Sequence, residues 1–146
     1  MNVKINVKKL NVDAILPVYG SAYAAGADLY SCDADVKIEA GKTVMIHTGI
    51  AIEIPCGYVG LVYARSGLAS KKGLAPANKV GVIDCDYRGE IMVALHNHGS
   101  EERVVEKGER IAQLVIAPYL TAEFCETDEL SETVRGEGGF GSTGNK

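Results

Sequence analysis

Apolar residues alternate with polar ones through much of the chain, and that two-residue period constrains the fold more than any other feature. Val3, Ile5 and Val7 alternate with polar neighbours, as do Val36 and Ile38, then Val44 and Ile46. Ile50, Ile52 and Ile54 continue the pattern up to Pro55. A period of two puts every second side chain on one face, so each run predicts a half-buried strand. Val59–Tyr63 and Ile91–Leu95 are short continuous apolar runs, which predict strands buried on both faces. Ile111–Ala117 has the composition of a helix, but its β-branched residues and the stop at Pro118 predict a strand.

Gly, Pro and Asn separate these runs at the intervals of an all-β sandwich or barrel. One helical segment is expected, opening at Ser66 as N-cap and ending by Gly73. There is no internal repeat. The expected architecture is all-β and jelly-roll-like, with one short helix.

A length of 146 residues suits one domain with one core. The formal charge of −4 supplies no field to draw the chain to a nucleic-acid backbone or an anionic membrane. An anionic ligand must therefore be held by a few placed Arg side chains and backbone amides. The first residues carry no continuous apolar stretch, and no later stretch has the length of a membrane span, so the expected location is the cytoplasm. Cys32, Cys56, Cys85 and Cys125 lie far apart without a C-x-x-C; disulfides are allowed but unneeded, and reduced structural thiols are expected. The three histidines offer no zinc spacing, with His96 and His98 expected on opposite faces of a strand.

The tail differs from the body. Between Arg135 and Gly144 five residues are glycine, with no apolar period, so residues 135–146 are expected to form an arm that is mobile until a ligand orders it. A frayed terminus has the same composition, but Arg135, Phe140, Ser142 and Thr143 add a cation, an aromatic ring and two hydroxyls. The spacing of Gly136 and Gly141 imitates a P-loop, yet Ser142 stands where the lysine belongs and no strand precedes it. Asp84–Gly89 imitates an EF-hand start, but Arg88 and Leu95 occupy positions that need oxygen ligands.

Four further segments mix charge with glycine. Ala25–Ser31 sets Asp28 among small residues, where a structural turn would serve as well as a site. Ala64–Ala69 puts Arg65, Ser66 and Gly67 at the one expected helix start, where free N–H groups and the helix dipole suit an anion. A capped helix with a solvated Arg explains it equally. Asn78–Met92 reads as two strands around a turn carrying Asp84, Asp86, Tyr87 and Arg88, any of which turn formation alone would explain. Lys107–Leu114 places Arg110 and Gln113 at a strand start, as a solvated face also would.

Taken in order, these segments resemble the five motifs of the trimeric dUTP pyrophosphatase (dUTPase) family. Ala25–Ser31 resembles the first motif and Ala64–Ala69 the second. Gly81–Ile91, reading G-V-I-D-C-D-Y-R-G-E-I, is similar to the third; Gly108–Leu114 resembles the fourth and Arg135–Gly144 the fifth. Five collinear motifs over nearly the whole chain are specific where any one would be weak. Ala64 stands where a proline often precedes the motif's Arg, and Cys85 fills a variable place; neither removes a chemical group.

The resemblance implies a β-clip jelly-roll domain over residues 1–134 with a flexible arm over 135–146, assembled as a homotrimer with shared active sites. It implies Mg²⁺-dependent hydrolysis of dUTP to dUMP and pyrophosphate, by water attacking the α-phosphorus. Asp84 matches the general base, and Asp28 the carboxylate that reaches Mg²⁺ through water. Arg65, Ser66 and Gly67 match the phosphate-binding turn, with Gln113 beside the same cluster. Asn78 and the backbone around Val82, Ile83 and Met92 match the groups that pair with uracil. Tyr87 matches the residue under deoxyribose, Phe140 the ring that closes over the base, and Arg135, Ser142 and Thr143 the arm's phosphate contacts. A dCTP deaminase shares the fold but needs a Glu, usually on a longer chain, and lacks the Asp-centred third motif. A silent nucleotide-binding module would have lost Asp84 or the arm's Phe and Arg.

Overall fold

The computed structural model describes residues 3–139. Among them are eleven strands and one helix. In chain order the strands are β1 (Asn6–Lys9), β2 (Val18–Tyr19), β3 (Ala27–Tyr30), β4 (Val36–Ile38), β5 (Thr43–Glu53) and β6 (Tyr58–Tyr63). The helix α1 (Ser66–Lys72) follows, then β7 (Leu74–Pro76), β8 (Gly81–Ile83), β9 (Glu90–Asn97), β10 (Arg103–Val105) and β11 (Arg110–Pro118).

The strands form a four-stranded sheet in the order β1-β5-β9-β7, a five-stranded sheet β2-β3-β11-β6-β8, and the pair β10-β4. Leu29, Val62, Ile111 and Leu114 from the five-stranded sheet meet Ile46, Ile50, Val93 and Leu95 from the four-stranded one in a single core, closed by Ile38 and Val105. This is the expected all-β, jelly-roll-like arrangement. It is also the arrangement that period-two sequences demand: the alternating core strands bury one face against the other sheet.

Three local expectations change. The runs Val44–Ile46 and Ile50–Ile54 do not make two strands; β5 passes through both, with a register shift against β9 between His47 and Ala51. Gly49 makes this continuity feasible. It adopts φ +70, and a Cβ there would stand 2.8 Å from Cys32 Sγ. β6 and β9 are not buried on both faces, but alternate between buried and more exposed positions. Ser66 is the first helical residue rather than the cap: Arg65 takes the N-cap place in extended conformation, without a side-chain cap bond. Gly73, at φ 68, closes the helix as expected, its N–H donating to Ala69 and Leu68 carbonyls.

His96 and His98 share a side rather than opposing each other, their rings meeting edge-on with centroids 4.4 Å apart. Residues two apart in a strand face the same way, so the expectation of opposite faces misapplied the period. No helix of the described residues is long and apolar enough to cross a membrane.

Candidate active site in two halves

The first half is a cleft of about 280 Å³ bordered by Gly26, Asp28, Arg65, Ser66, Gly67 and Gln113, with the Gly20–Ala24 loop on its rim. Three neighbouring strands build it. In β11, Gln113 stands opposite Asp28 of β3 on one side and Tyr63 of β6 on the other. The chain leaves β6 at Tyr63 and enters α1 at Ser66, and the turn between them carries Arg65 to the same spot.

Asp28 organises the charges. Its carboxylate accepts from Arg65 Nε at 2.7 Å and from Arg110 Nη1 at 3.4 Å, with the Asp28 side chain only 13% exposed. The Arg65 pair is the stronger, because it is short and part-buried. Ser66, Gly67 and Leu68 open the helix, and its first backbone bond runs from Ala69 N–H to Arg65 C=O. The preceding N–H groups are therefore free of intrahelical partners. Gln113 is fixed by its Nε2 donating to the Ala64 carbonyl at 2.8 Å. Its Oε1 lies where only glycine can face it, since a Cβ on Gly26 would approach to 2.5 Å.

The second half is a cavity of about 250 Å³ between the two sheets, lined by Asn78, Gly81, Ile83, Tyr87 and Met92 together with Met45, Pro76 and Ala94. The two strands around the expected turn are present but do not pair with each other. β8 bonds to β6 in one sheet, and β9 to β5 and β7 in the other, so the turn bridges the sheets and the cavity opens beneath it. Val82, alternating with Ile83, turns its side chain out, 63% exposed, and does not line the cavity.

Asp84 follows the last residue of β8 and is exposed. Its carbonyl accepts the Tyr87 N–H at 3.2 Å, closing the turn. Arg88 holds that turn from below: Nη1 donates to the carbonyls of Cys85 at 2.7 Å and Tyr87 at 3.0 Å, and Nη2 lies 3.5 Å from Glu53. Tyr87 Oη donates to the Glu90 carbonyl at 2.9 Å, with its ring over Gly89, where a Cβ would collide. Glu90 accepts from Gly49 N–H and bonds His47 Nδ1, and that bond raises the His47 titration against the opposing effect of burial.

The two halves share no lining residue. Past β11 the chain forms no further strand or helix among the described residues, and Leu120 and Phe124 are 96% and 95% exposed. Arg135 is also exposed, and among the described residues its Nε donates to the Gly138 carbonyl at 2.7 Å and it borders neither half. Phe140, Ser142 and Thr143 lie outside the described residues.

A family model, described as dUTPase, matches residues 12–144. The chain belongs to the dUTPase family. Among relatives, a deoxyuridine 5'-triphosphate nucleotidohydrolase of Hydrogenobaculum sp. is 53% identical over 144 residues, covering 99% of this chain and all of that one. Among solved structures, the Staphylococcus bacteriophage 80alpha dUTPase with dUPNHPP superposes with a TM-score of 0.90 at 33% identity, over 98% of this chain and 99% of that chain. A mutant dUTPase from phage phi11 of S. aureus, described as coordinating a structural Mg(II) ion, gives 0.79 at 28% identity, over 87% and 98%.

Within that family frame, Arg88 and Arg110 are the residues that sequence reasoning undervalued. Arg88 stood out as a residue that spoils a calcium loop and as one of several turn residues, and Arg110 as a strand-start charge that a solvated face explains equally. Nothing local in the sequence reveals their partners. Among the described residues no three His, Cys, Asp or Glu side chains converge to hold a metal ion. Both oxygens of Asp28 face arginines, so the cleft presents no bare carboxylate cage for a directly ligated metal ion.

Proposed function

We propose that the chain hydrolyses dUTP to dUMP and pyrophosphate with water as nucleophile, thereby keeping uracil out of DNA and supplying dUMP for thymidylate synthesis. The observation that carries this reading is the division of one chain into a mainly apolar inter-sheet cavity, with Glu90 its one charged lining residue, and a separate cleft that carries Arg65 and Asp28. A nucleotide needs both.

In this reading uracil enters the cavity, where Asn78 and the backbone around Val82, Ile83 and Met92 pair with its edge. Cytosine exchanges donor and acceptor there and leaves buried groups unpaired, a mismatch that discriminates by roughly 10⁴. Thymine's methyl lacks space. Tyr87, held by the Glu90 carbonyl, packs under deoxyribose and excludes a 2′-hydroxyl. The triphosphate lies against Arg65, Ser66 and Gly67, with Gln113 beside it and Asp28 reaching the magnesium through water. When bound, the ion would supply charge neutralisation on the polyphosphate and its leaving group, with Asp28 the residue that would hold it through water. Asp84 takes a proton from water as its oxygen bonds to the α-phosphorus; the bond to the bridging oxygen breaks and pyrophosphate leaves.

We infer that the complete site is assembled between chains of a homotrimer, and the lack of any lining residue common to the two halves supports that reading. One chain gives the Arg65 cleft, another the Asp84 cavity, and a third the arm over 135–146, with Phe140 over the base and Arg135, Ser142 and Thr143 on the phosphates. Exposed Leu120, Phe124, Leu130 and Val134 support this route, because apolar side chains along a segment that leaves its own barrel find burial on a neighbour.

Pyrophosphate release from each common nucleoside triphosphate, with and without EDTA, tests the reading. Turnover of dUTP alone, lost on chelation, is expected; comparable rates with dCTP or dTTP overturn the assignment of the cavity.

A further inference from the structure

Two cysteines that the site does not use meet beside Asp84. Cys56 Sγ and Cys85 Sγ lie 4.0 Å apart. Cys56 occupies the turn between β5 and β6, where the Pro55 carbonyl accepts the Tyr58 N–H at 3.1 Å. Cys85 follows Asp84 in the turn after β8. β6 and β8 run antiparallel with Gly60 opposite Ile83, so both turns emerge at one end of that ladder. Tyr119 completes the cluster: its hydroxyl is pushed up first by a hydrogen bond with Cys85, and further by Cys56 and Asp84 among others. The other two thiols are placed differently. Cys32 is buried, with its thiol pushed up by that burial, and Cys125 is exposed beyond the barrel.

We propose that Cys56 and Cys85 form a dithiol modification site, which a low-molecular-weight disulfide such as glutathione disulfide converts to an intrachain disulfide that slows turnover. The exposed Cys56 thiolate attacks the reagent, whose S–S bond breaks as the mixed disulfide forms and one thiolate leaves. Cys85 thiolate then attacks the Cys56 sulfur and expels the second thiolate. The protein loses two electrons and two protons, and the reagent becomes two thiols. An S–S bond of about 2.05 Å requires the sulfurs to close by roughly 2 Å. Neither cysteine has a sheet partner to resist that movement, whereas Asp84 is covalently adjacent to Cys85. Misplacing a reacting group by about 1 Å costs on the order of a hundredfold in rate. Formation of the bond is independent of the role of Asp84; its effect on turnover rests on the proposed reading.

The test treats the full chain with glutathione disulfide, alkylates the remaining thiols, and reads linked peptides by non-reducing mass spectrometry alongside kcat for dUTP. The expected product links Cys56 to Cys85 and leaves two of the four free cysteines alkylated. Its kcat is ~10- to 100-fold lower and is restored by dithiothreitol. Cys125→Ser should respond like the parent, while Cys56→Ser and Cys85→Ala should each keep basal kcat and resist inhibition. Separate glutathione adducts without a cross-link overturn the proposal. So does a cross-link that leaves kcat unchanged, or equal inhibition of both resistant variants. Asp84→Asn assayed in parallel checks the base itself, so failure of that role is separable from failure of the cross-link.

Discussion

Gly26→Ala should damage the phosphate cleft through a single methyl group. The new Cβ would stand 2.5 Å from Gln113 Oε1 and 3.2 Å from its Cβ and Cδ. The amide oxygen can swing away, but Gln113 Cβ is fixed to β11, which is bonded on both sides by β3 and β6. Relief therefore needs backbone movement, and overpacking of this kind costs about 1–3 kcal/mol. Swinging the amide also breaks its bond to the Ala64 carbonyl, a further loss of about 0.5–1.5 kcal/mol. The reduced entropy of the unfolded alanine chain offsets about 0.4–1 kcal/mol. Central values leave a net loss of about 2 kcal/mol, or about 4–8 °C in Tm for a chain near this length. Gly20→Ala is the control, because it borders the same cleft with nothing within 4 Å of an added Cβ. Calorimetry should show Gly26→Ala melting well below Gly20→Ala, with the larger loss in kcat/KM for dUTP. Adding Gln113→Ala should restore part of the stability but none of the activity, since truncation removes the clash together with the amide. Equal melting of the two glycine variants, or strict additivity in the double variant, would refute the steric argument.

Asp84→Asn should retain affinity for a non-hydrolysable dUTP analogue while kcat falls by several powers of ten, because Asn keeps the shape but cannot accept a proton; near-normal kcat in a folded variant removes Asp84 as base. His47, raised by its bond to Glu90, should contribute stability that is fully present below about pH 6.5 and lost as pH rises through its higher folded value. Calorimetric Tm values on either side of that window should show the increment shrinking in His47→Gln, and an unchanged pH profile would show that the pair contributes nothing. Asp84→Asn refolded in equal amount with a chain truncated after Val134 should regain activity, with about a quarter of sites receiving a working base and a working arm from different chains. Activity no greater than the sum of the separate variants, despite confirmed subunit exchange, would rule out a shared site.

What the sequence disclosed and what it hid divide along the range of the interaction concerned. Pattern and composition are local, so Val36–Ile38 by its alternation, Val59–Tyr63 by its apolar run and Ile111–Ala117 by its β-branched residues were legible as strands before any partner was known. Partner choice is not local. The segment around Asp84 looked like two strands joined by a turn, yet its strands are recruited by β6 and by β5 and β7, and that divergence is what opens the cavity. Gly49 carried a similar ambiguity: glycine can end a strand or bend one, and the packing of Cys32 and Ala14 against it decides for the bend. The same logic governs the charges. Asp28, Arg65 and Arg110 are far apart in sequence, and only the order β3-β11-β6 makes one carboxylate the partner of both arginines. Motif resemblance named Asp28 and Arg65 but offered no geometry, and it could not distinguish Arg110 from a solvated side chain. Completion of the site lies further out still. A segment with Leu120, Phe124, Leu130 and Val134 exposed gains little from its own barrel. In the proposed trimer, the free energy that positions it comes from a second copy of the chain, the same surface that would complete the site.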